Sequence, residues 1–435
     1  MNVQTSIEIA APVLIRESGQ IRVRYVLRGL PQPYLEYTID AEYEDFLSER
    51  SDAALIALIV PAMAAGKNLI FRGAISARLL HNTRMDLMRL LCSVIEGLRP
   101  IQIQSDIASS PEPGCANPAV LTGLSNGVDS LSTVAEYLLN PEAAPELRPT
   151  HFLFNDVGNQ GRLENSDSQQ LFMRKIAHVR ASAAHFGLPV LTVQSNLDGF
   201  FQTTFPQTHT LRNASVAFLL QRRTRHFLYG SGVPYHNVHG GKSRDIAYAD
   251  PILLPLISTP SLQCHSSGAG HTRTAKTAIV AEMASAHELL HVCVREHENC
   301  SVCWKCARTM LTLDVLGKLD GFAPVFDIEK FQGIRSAFIS HTIGCRNRDP
   351  LSKEILGLMR QHGCRPSLKE QMSGALTRVV LSLSTALPMS IQRLGARLAG
   401  FSDSATLTQG MNPSRLWTLK LKIRQMLAGK KAAGK

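Results

Sequence analysis

The chain has 435 residues and a formal net charge of +11, with 44% hydrophobic and 6% aromatic residues. This composition excludes fibrous and low-complexity classes and leaves room for two domains, or for one α/β domain with additions. The basic excess favours anionic partners, whether small polyanions, nucleic acid or an acidic membrane surface.

Met1 to Gln4 lacks the basic start and apolar run of a secretory signal, so a cytoplasmic protein with reduced cysteines is expected. Residues 1–104 predict an N-terminal α+β accessory domain, with β-like stretches at Ile7 to Leu14 and Ile21 to Leu27 and a helical pattern from Ser76 to Leu98. The apolar run Ala53 to Ala65 contains Pro61 and falls short of the roughly 20 residues that span a bilayer, which predicts a buried helix. Residues 105–118, rich in Ser, Pro and Gly, read as a linker. Beyond it Ala119 to Leu124, His151 to Phe154, Val190 to Gln194 and His226 to Tyr229 are apolar segments alternating with helical patterns. Such alternation predicts parallel βαβ units, with ligand sites at the carboxyl ends of the strands.

The first of these strands runs into Ser125-Asn126-Gly127-Val128-Asp129-Ser130, followed by apolar residues at helical spacing, Leu131, Val134, Ala135, Leu138 and Leu139. Strand, loop and helix in that order suit an anion. Gly127 admits close backbone approach, Ser125 and Ser130 offer hydroxyls, and the helix starting at Val128 presents free N–H groups. Asp129 either caps the helix or holds a cation such as Mg2+ that bridges phosphates. No Gly-Lys-Ser/Thr follows, so this is not a Walker loop.

These residues resemble the PP-loop ATP pyrophosphatases, whose signature Ser-Gly-Gly-x-Asp-Ser follows the first strand of a Rossmann-like sheet. The resemblance implies ATP bound at Ser125 to Ser130, with Asp129 and Ser130 acting in catalysis. Asn126 stands where the family has the first of its paired glycines. If that position needs a positive φ, Asn is the least costly replacement.

Farther on, Cys293, Cys300, Cys303 and Cys306 crowd together while the other five cysteines are scattered. Four thiolates at these spacings suit a closed, structural zinc site, with an iron–sulfur cluster as the rival. An isolated Cys followed by Cys-x-x-Cys-x-x-Cys and an arginine, here Arg308, resembles the zinc site of one PP-loop branch, the 7-cyano-7-deazaguanine synthases. In that branch a lysine at the start of the preceding helix reaches the phosphates. By that resemblance Lys276 is the candidate and Arg273 a weaker one. A cation there would neutralise charge as pyrophosphate departs.

The carboxyl ends of the other strands offer Asn155 and Asp156, Ser195 and Asn196, and Ser231 for ribose, adenine or substrate contacts. A competing signal is His287-Glu288-Leu289-Leu290-His291, a literal H-E-x-x-H, which needs both histidines on one helical face. Leu289 to Cys293 instead reads as the alternating start of a strand. From about Pro366 the chain turns basic and helical. Leu416, Leu419, Ile423, Met426 and Leu427 share one face of the last helix, which either docks on the protein or meets nucleic acid or an anionic membrane.

The expected fold is α/β, a Rossmann-like parallel sheet with helices on both faces. The PP-loop domain spans 119–330 with the zinc knuckle at 293–306, and residues 331–435 form a helical, basic extension. The resemblance implies an ATP-dependent carbon–nitrogen ligase. A small-molecule carboxylate or amide is adenylated with release of pyrophosphate, then attacked by an amine or ammonia to give an amide or nitrile, and 7-carboxy-7-deazaguanine is one such substrate. The implied cofactors are ATP, Mg2+ and Zn2+. An ATP-binding scaffold subunit with weak turnover and a tRNA-modifying PP-loop enzyme are the alternatives, and a protein partner or a homo-oligomer is compatible with either.

Overall fold

The computed structural model describes residues 6–108, 111–112, 117–158, 166–293, 296–386 and 413–433. Two compact units emerge, Met1–His271 and Thr272–Lys435. The first is α/β and built on a mixed sheet, and the second is largely helical.

The early strands are β1 (Ser6–Ile9), β2 (Val13–Glu17), β3 (Gln20–Arg28), β4 (Tyr34–Asp40), β5 (Asn68–Phe71), β6 (Ile75–Ser76), β7 (Ile103–Gln104) and β8 (Ile107–Ala108). The later ones are β9 (Ala119–Gly123), β10 (His151–Asp156), β11 (Val190–Ser195), β12 (Thr224–Gly230) and β13 (Gln263–Ser267). Eleven of them form one sheet in the order β13-β12-β9-β10-β11-β4-β3-β1-β5-β7, with β2 paired to β3, while β6 and β8 pair separately. The strands β9 to β13 are mutually parallel, and β4 joins β11 antiparallel, with Val193 opposite Ile39.

Side-chain periodicity explains these positions. In β3, Ile21, Val23, Tyr25 and Leu27 are buried at every second residue, as in a strand with one face on the core. The strands β9 and β10 are buried on both faces, as central parallel strands are. The single stretch expected from Ile7 to Leu14 is divided between β1 and β2 around Pro12, which has no N–H to give a ladder. The helical pattern expected from Ser76 to Leu98 is present as Ala77–Asn82, a five-residue π-helical stretch Thr83–Leu87, and Met88–Val94.

The helix Asp52–Ala65 is apolar all round and buried almost throughout, which is how a core helix reads. It packs against the helix His209–Leu219. Asp52 accepts from Ser76 N at 2.8 Å and from Gln221 Nε2 at 2.7 Å, and Tyr37 OH donates to Ser215 Oγ at 2.9 Å. One hydrophobic core runs from Ile7 to Cys264. The sheet therefore continues across the expected linker at 105–118, and the N-terminal strands share the core of the parallel ones. The cysteine cluster groups instead with the C-terminal helices.

In the second unit the helices are Arg273–Ala281, the single turn Ala286–Leu289, Trp304–Val315, Ile328–Cys345, Pro350–Gln361, Leu368–Ala386 and Pro413–Ala433. Thr272 caps the first through Oγ1, which accepts from Ala275 N at 3.1 Å, and Asp327 caps the fourth, accepting from Lys330 N at 3.0 Å. No helix among the described residues is long and apolar enough to cross a membrane.

Candidate functional site

Along the sheet the chain leaves β9 toward β10 and β11 on one side, then returns to β12 and β13 on the other. Such a reversal opens a crevice outside the carboxyl ends of the two strands that flank it, β9 and β12. The stretch Ser125 to Ser130 follows β9 directly, and Gly127 begins the helix Val128–Val134 as its N-cap residue.

Asn126 takes φ +57°. Its side chain is buried, and Nδ2 donates to Ser182 Oγ at 2.8 Å, while Ser182 donates onward to His178 O at 3.1 Å. Ser130 Oγ accepts from Ser125 N at 3.3 Å and donates to Gly127 O at 3.0 Å, and Ser125 Oγ accepts from Gly127 N at 3.4 Å. The loop is thus a tight turn held by its own serines and pinned by one asparagine. Val128 is buried beneath it. Asp129 lies in the first helical turn, where Ser132 and Thr133 hydroxyls donate to its carbonyl at 3.0 and 2.9 Å. A Cβ at Gly230 would stand 3.2 Å from Asp129 O and 3.3 Å from Asp129 Cβ, so the end of β12 packs closely against the start of the helix Val128–Val134.

The other expected residues divide. Asp156 is fully buried at the end of β10, and its Oδ1 accepts from Gly158 N at 3.1 Å, with Asn155 beside it. Ser231 follows β12, and its buried hydroxyl donates to Val233 O at 2.7 Å. Ser195 and Asn196 are spent on the neighbouring strand. Ser195 Oγ donates to Glu36 O at 2.8 Å, Asn196 Oδ1 accepts from Glu36 N at 2.9 Å, and Asn196 Nδ2 donates to Tyr34 O at 2.9 Å. Those bonds fasten β4 to β11. Arg273 and Lys276 belong to the other compact unit, in the first turns of Arg273–Ala281. Lys276 is buried, and Arg273 N donates to Glu354 Oε2 at 2.8 Å.

Next to the crevice lies a polar cluster that the sequence reading missed. His209 Nδ1 and Tyr229 OH are 2.6 Å apart, His209 Nε2 and Asp245 Oδ1 are 2.9 Å apart, and Thr210 donates to Asp250 Oδ1 at 2.6 Å. Burial pushes the Asp250 carboxyl up to about 6 and the Tyr229 hydroxyl well above its ordinary value. No motif spacing links these residues, because helix, strand and loop converge only in the fold.

In the second unit Cys293, Cys300, Cys303 and Cys306 bring their sulfurs within 4.8 Å of one another. A tetrahedral zinc with bonds of about 2.3 Å needs sulfurs about 3.8 Å apart, and the Cys300 and Cys306 sulfurs are 4.0 Å apart. In a four-iron cluster each iron takes its own thiolate, which spreads the sulfurs, so this set fits a single ion such as zinc. Cys303 N donates to Cys300 Sγ at 3.3 Å. Asn299 Oδ1 accepts from Val292 N at 2.9 Å and Cys293 N at 3.2 Å, and its Nδ2 donates to Leu290 O at 2.8 Å and Val325 O at 3.1 Å. The Cys293 thiol is held below its ordinary value by hydrogen bonds from Cys300, Cys303 and Cys306. Those of Cys303 and Cys306 are pushed above theirs, first by Cys293 and then by Cys300, as crowded thiols that cannot all ionise without a cation are. Arg308 is buried in the helix that begins after Cys303.

The H-E-x-x-H match is not a metal site. Ala286–Leu289 is a single turn, so His291 lies beyond it, and His287 Nε2 donates to Ala281 O at 3.3 Å. Leu289 to Cys293 is not a strand either, and its backbone is satisfied by Asn299 instead. In the tail, Leu416 and Trp417 turn inward, with Trp417 Nε1 donating to Val302 O at 2.9 Å, whereas Ile423 of the expected face is exposed. The side chains of Met426 and Leu427 lie outside the described residues.

No protein-family model matches this chain, and no match was found among curated proteins or solved structures.

Proposed function

We propose that this protein is an ATP-dependent enzyme of the PP-loop kind, adenylating a carboxylate or amide for carbon–nitrogen bond formation. The observation that carries the reading is Asn126 at φ +57° in the loop after β9. A left-handed residue at the place of a family glycine supports a phosphate-gripping turn, since a plain helix cap does not require it. The strand order, with β9 between β10 and β12, supports a Rossmann-like arrangement around that loop. The four-cysteine group supports the deazaguanine-synthase branch, where such a site is structural.

In this reading the backbone N–H groups and hydroxyls of Ser125 to Ser130 hold the β- and γ-phosphates. Asp129 would hold Mg2+, which supplies charge neutralisation. The substrate oxygen attacks the α-phosphorus, the α–β bridging P–O bond breaks, and pyrophosphate leaves. An amine nitrogen then attacks the activated carbon and AMP departs. Gly230, packed against Asp129, and Ser231 after it stand at the end of β12, where contacts to the ribose or the acyl group are assigned.

The test measures pyrophosphate and AMP released from ATP by zinc-loaded protein given 7-carboxy-7-deazaguanine and ammonium. Substrate-dependent release is expected, falling about a hundredfold or more in Asp129→Asn. ATP binding without release would instead mark a scaffold subunit, and release that requires tRNA would favour the RNA-modifying alternative.

A further inference from the structure

The only two tryptophans of the chain, Trp304 and Trp417, belong to one aromatic layer in the second unit. Trp304 stands between Cys303 and Cys306 of the candidate metal turn, and Trp417 lies near the start of the last helix, Pro413–Ala433. Phe338 and His341 of the helix Ile328–Cys345 touch both. Their ring centroids lie 5.3 and 5.3 Å from that of Trp304 and 4.9 and 5.4 Å from that of Trp417, with the rings edge-on or tilted. The Trp417 side chain is fully buried, and its Nε1 donates to Val302 O at 2.9 Å. Val302 is one of the two residues between Cys300 and Cys303, so the last helix bonds directly to the backbone that carries two of the four sulfurs.

The buried anchorage of that helix is short. Among its described side chains only Leu416 and Trp417 are buried, both near its start. Leu416 shares a small core with Leu381 and Cys345, and Lys420 Nζ donates to Thr377 Oγ1 at 2.7 Å. The two helices beneath have their own close contact. Ile328–Cys345 and Leu368–Ala386 meet at Gly344 and Gly374, since a Cβ at Gly374 would stand 2.6 Å from Ile343 Cγ2. A helix whose buried contacts sit at one end can leave while the pair beneath it stays packed.

The acceptor for Trp417 depends in turn on the cysteines. Ser301, next to Val302, is held at φ +61°, a conformation that persists only while its surroundings over-determine it. An ion bonded to Cys300 and Cys303 fixes both ends of the segment that carries Val302 O. With no ion both ends are released, and a turn of that carbonyl would leave the buried indole N–H without its acceptor. We propose that the last helix is a clasp on the cysteine site: Trp417 holds the metal turn closed, and an ion in that turn keeps the helix docked. The coupling is reciprocal, so entry or loss of the ion is read at the C-terminal helix, and loss of the clasp loosens the ion. This inference needs the single-ion reading of the four cysteines and nothing of the nucleotide chemistry.

The test uses full-length, zinc-loaded protein, with Trp417→Phe beside the wild type and circular dichroism to check that both fold. Trp417→Phe keeps an aromatic ring in the layer and removes the bond to Val302. Zinc transfer to an excess of chelator is expected to be about fivefold faster in that variant. A second arm leaves Trp417 unchanged, so it stands even if Trp417→Phe folds poorly. In a Trp304→Phe background Trp417 is the sole indole, and its emission should move to the red as zinc is stripped in the cold, with helical ellipticity kept and the shift reversed by added zinc. Equal transfer rates in a folded Trp417→Phe would overturn the proposal, as would Trp417 emission that ignores zinc. A red shift that comes only with loss of ellipticity would overturn it too, because the whole unit would then be melting rather than one helix leaving. So would a chain that takes up no zinc.

Discussion

Among the described residues, only Asn126 and Ser301 are non-glycine residues with positive φ, at +57° and +61°, and each sits in one of the two candidate sites. They meet the same geometric need in different ways. Asn126 is held by one long-range bond to Ser182, 56 positions on, while its loop is otherwise closed by serines within five residues. Ser301 is enclosed: its hydroxyl accepts from Asp327 N at 2.8 Å, and Asn299 ties three stretches of chain around the sulfurs. Left-handed strain of this kind persists only where the surroundings over-determine it. The loop in the first unit closes on its own serines at the carboxyl end of β9, suited to a ligand that comes and goes. The cysteine turn is tied by Asn299 and Ser301 to the stretches around it, suited to an ion that stays.

Metal removal should break this comparison most strongly. Chelation, or Cys303→Ser, is expected to destabilise the second unit by several kcal/mol or more, read as early melting of its helices in thermal unfolding with metal content measured alongside. If the helices melt unchanged, the cysteine turn is not the enclosed site described here.

Next in size is Asp250, buried behind the crevice. Its folded carboxyl titrates near 6 and its unfolded one near the usual 3.8, so the folded state holds the proton more tightly. Stability is therefore expected to fall as pH rises between about 4 and 6, by up to about 3 kcal/mol, with the full cost present above that window. Asp250→Asn should flatten the slope, measured by denaturant unfolding across that range.

A smaller effect separates the means by which the open loop is held. Asn126→Val forces a β-branched residue to positive φ and removes the Ser182 bond, and should cost about 1–3 kcal/mol. Asn126→Gly keeps the conformation and should stay within about 1 kcal/mol, because the lost hydrogen bond is offset by relief at φ. Pyrophosphate release should survive only the glycine change. The smallest effect is expected of Ser195→Ala, about 1 kcal/mol in stability from the bond to Glu36 and no change in ATP affinity, which would place Ser195 outside the crevice.

Much of this was legible where chemistry is local. The loop after β9 and the cysteine set are short, and their spacing alone placed them. β13 escaped because Gln263-Cys-His-Ser-Ser267 has no apolar alternation, and its pairing with β12 is a property of the sheet. Ser195 and Asn196 looked like ligand contacts because loops after parallel strands are polar. They serve β4 instead, a strand about 160 positions earlier that no local pattern connects to them. Ser182, Tyr229 and Asp250 were hidden for the same reason.

The antiparallel pairing of β4 with β11 also governs how this protein can be cut. A fragment beginning after residue 118 would keep every residue of the loop and the cysteine turn, yet it would leave β11 with a bare row of N–H and C=O groups along its outer side. Exposed edges of that kind template other chains. The first hundred residues are thus the selvedge of the cloth, and a trimmed version should fray into aggregates before its chemistry can be measured.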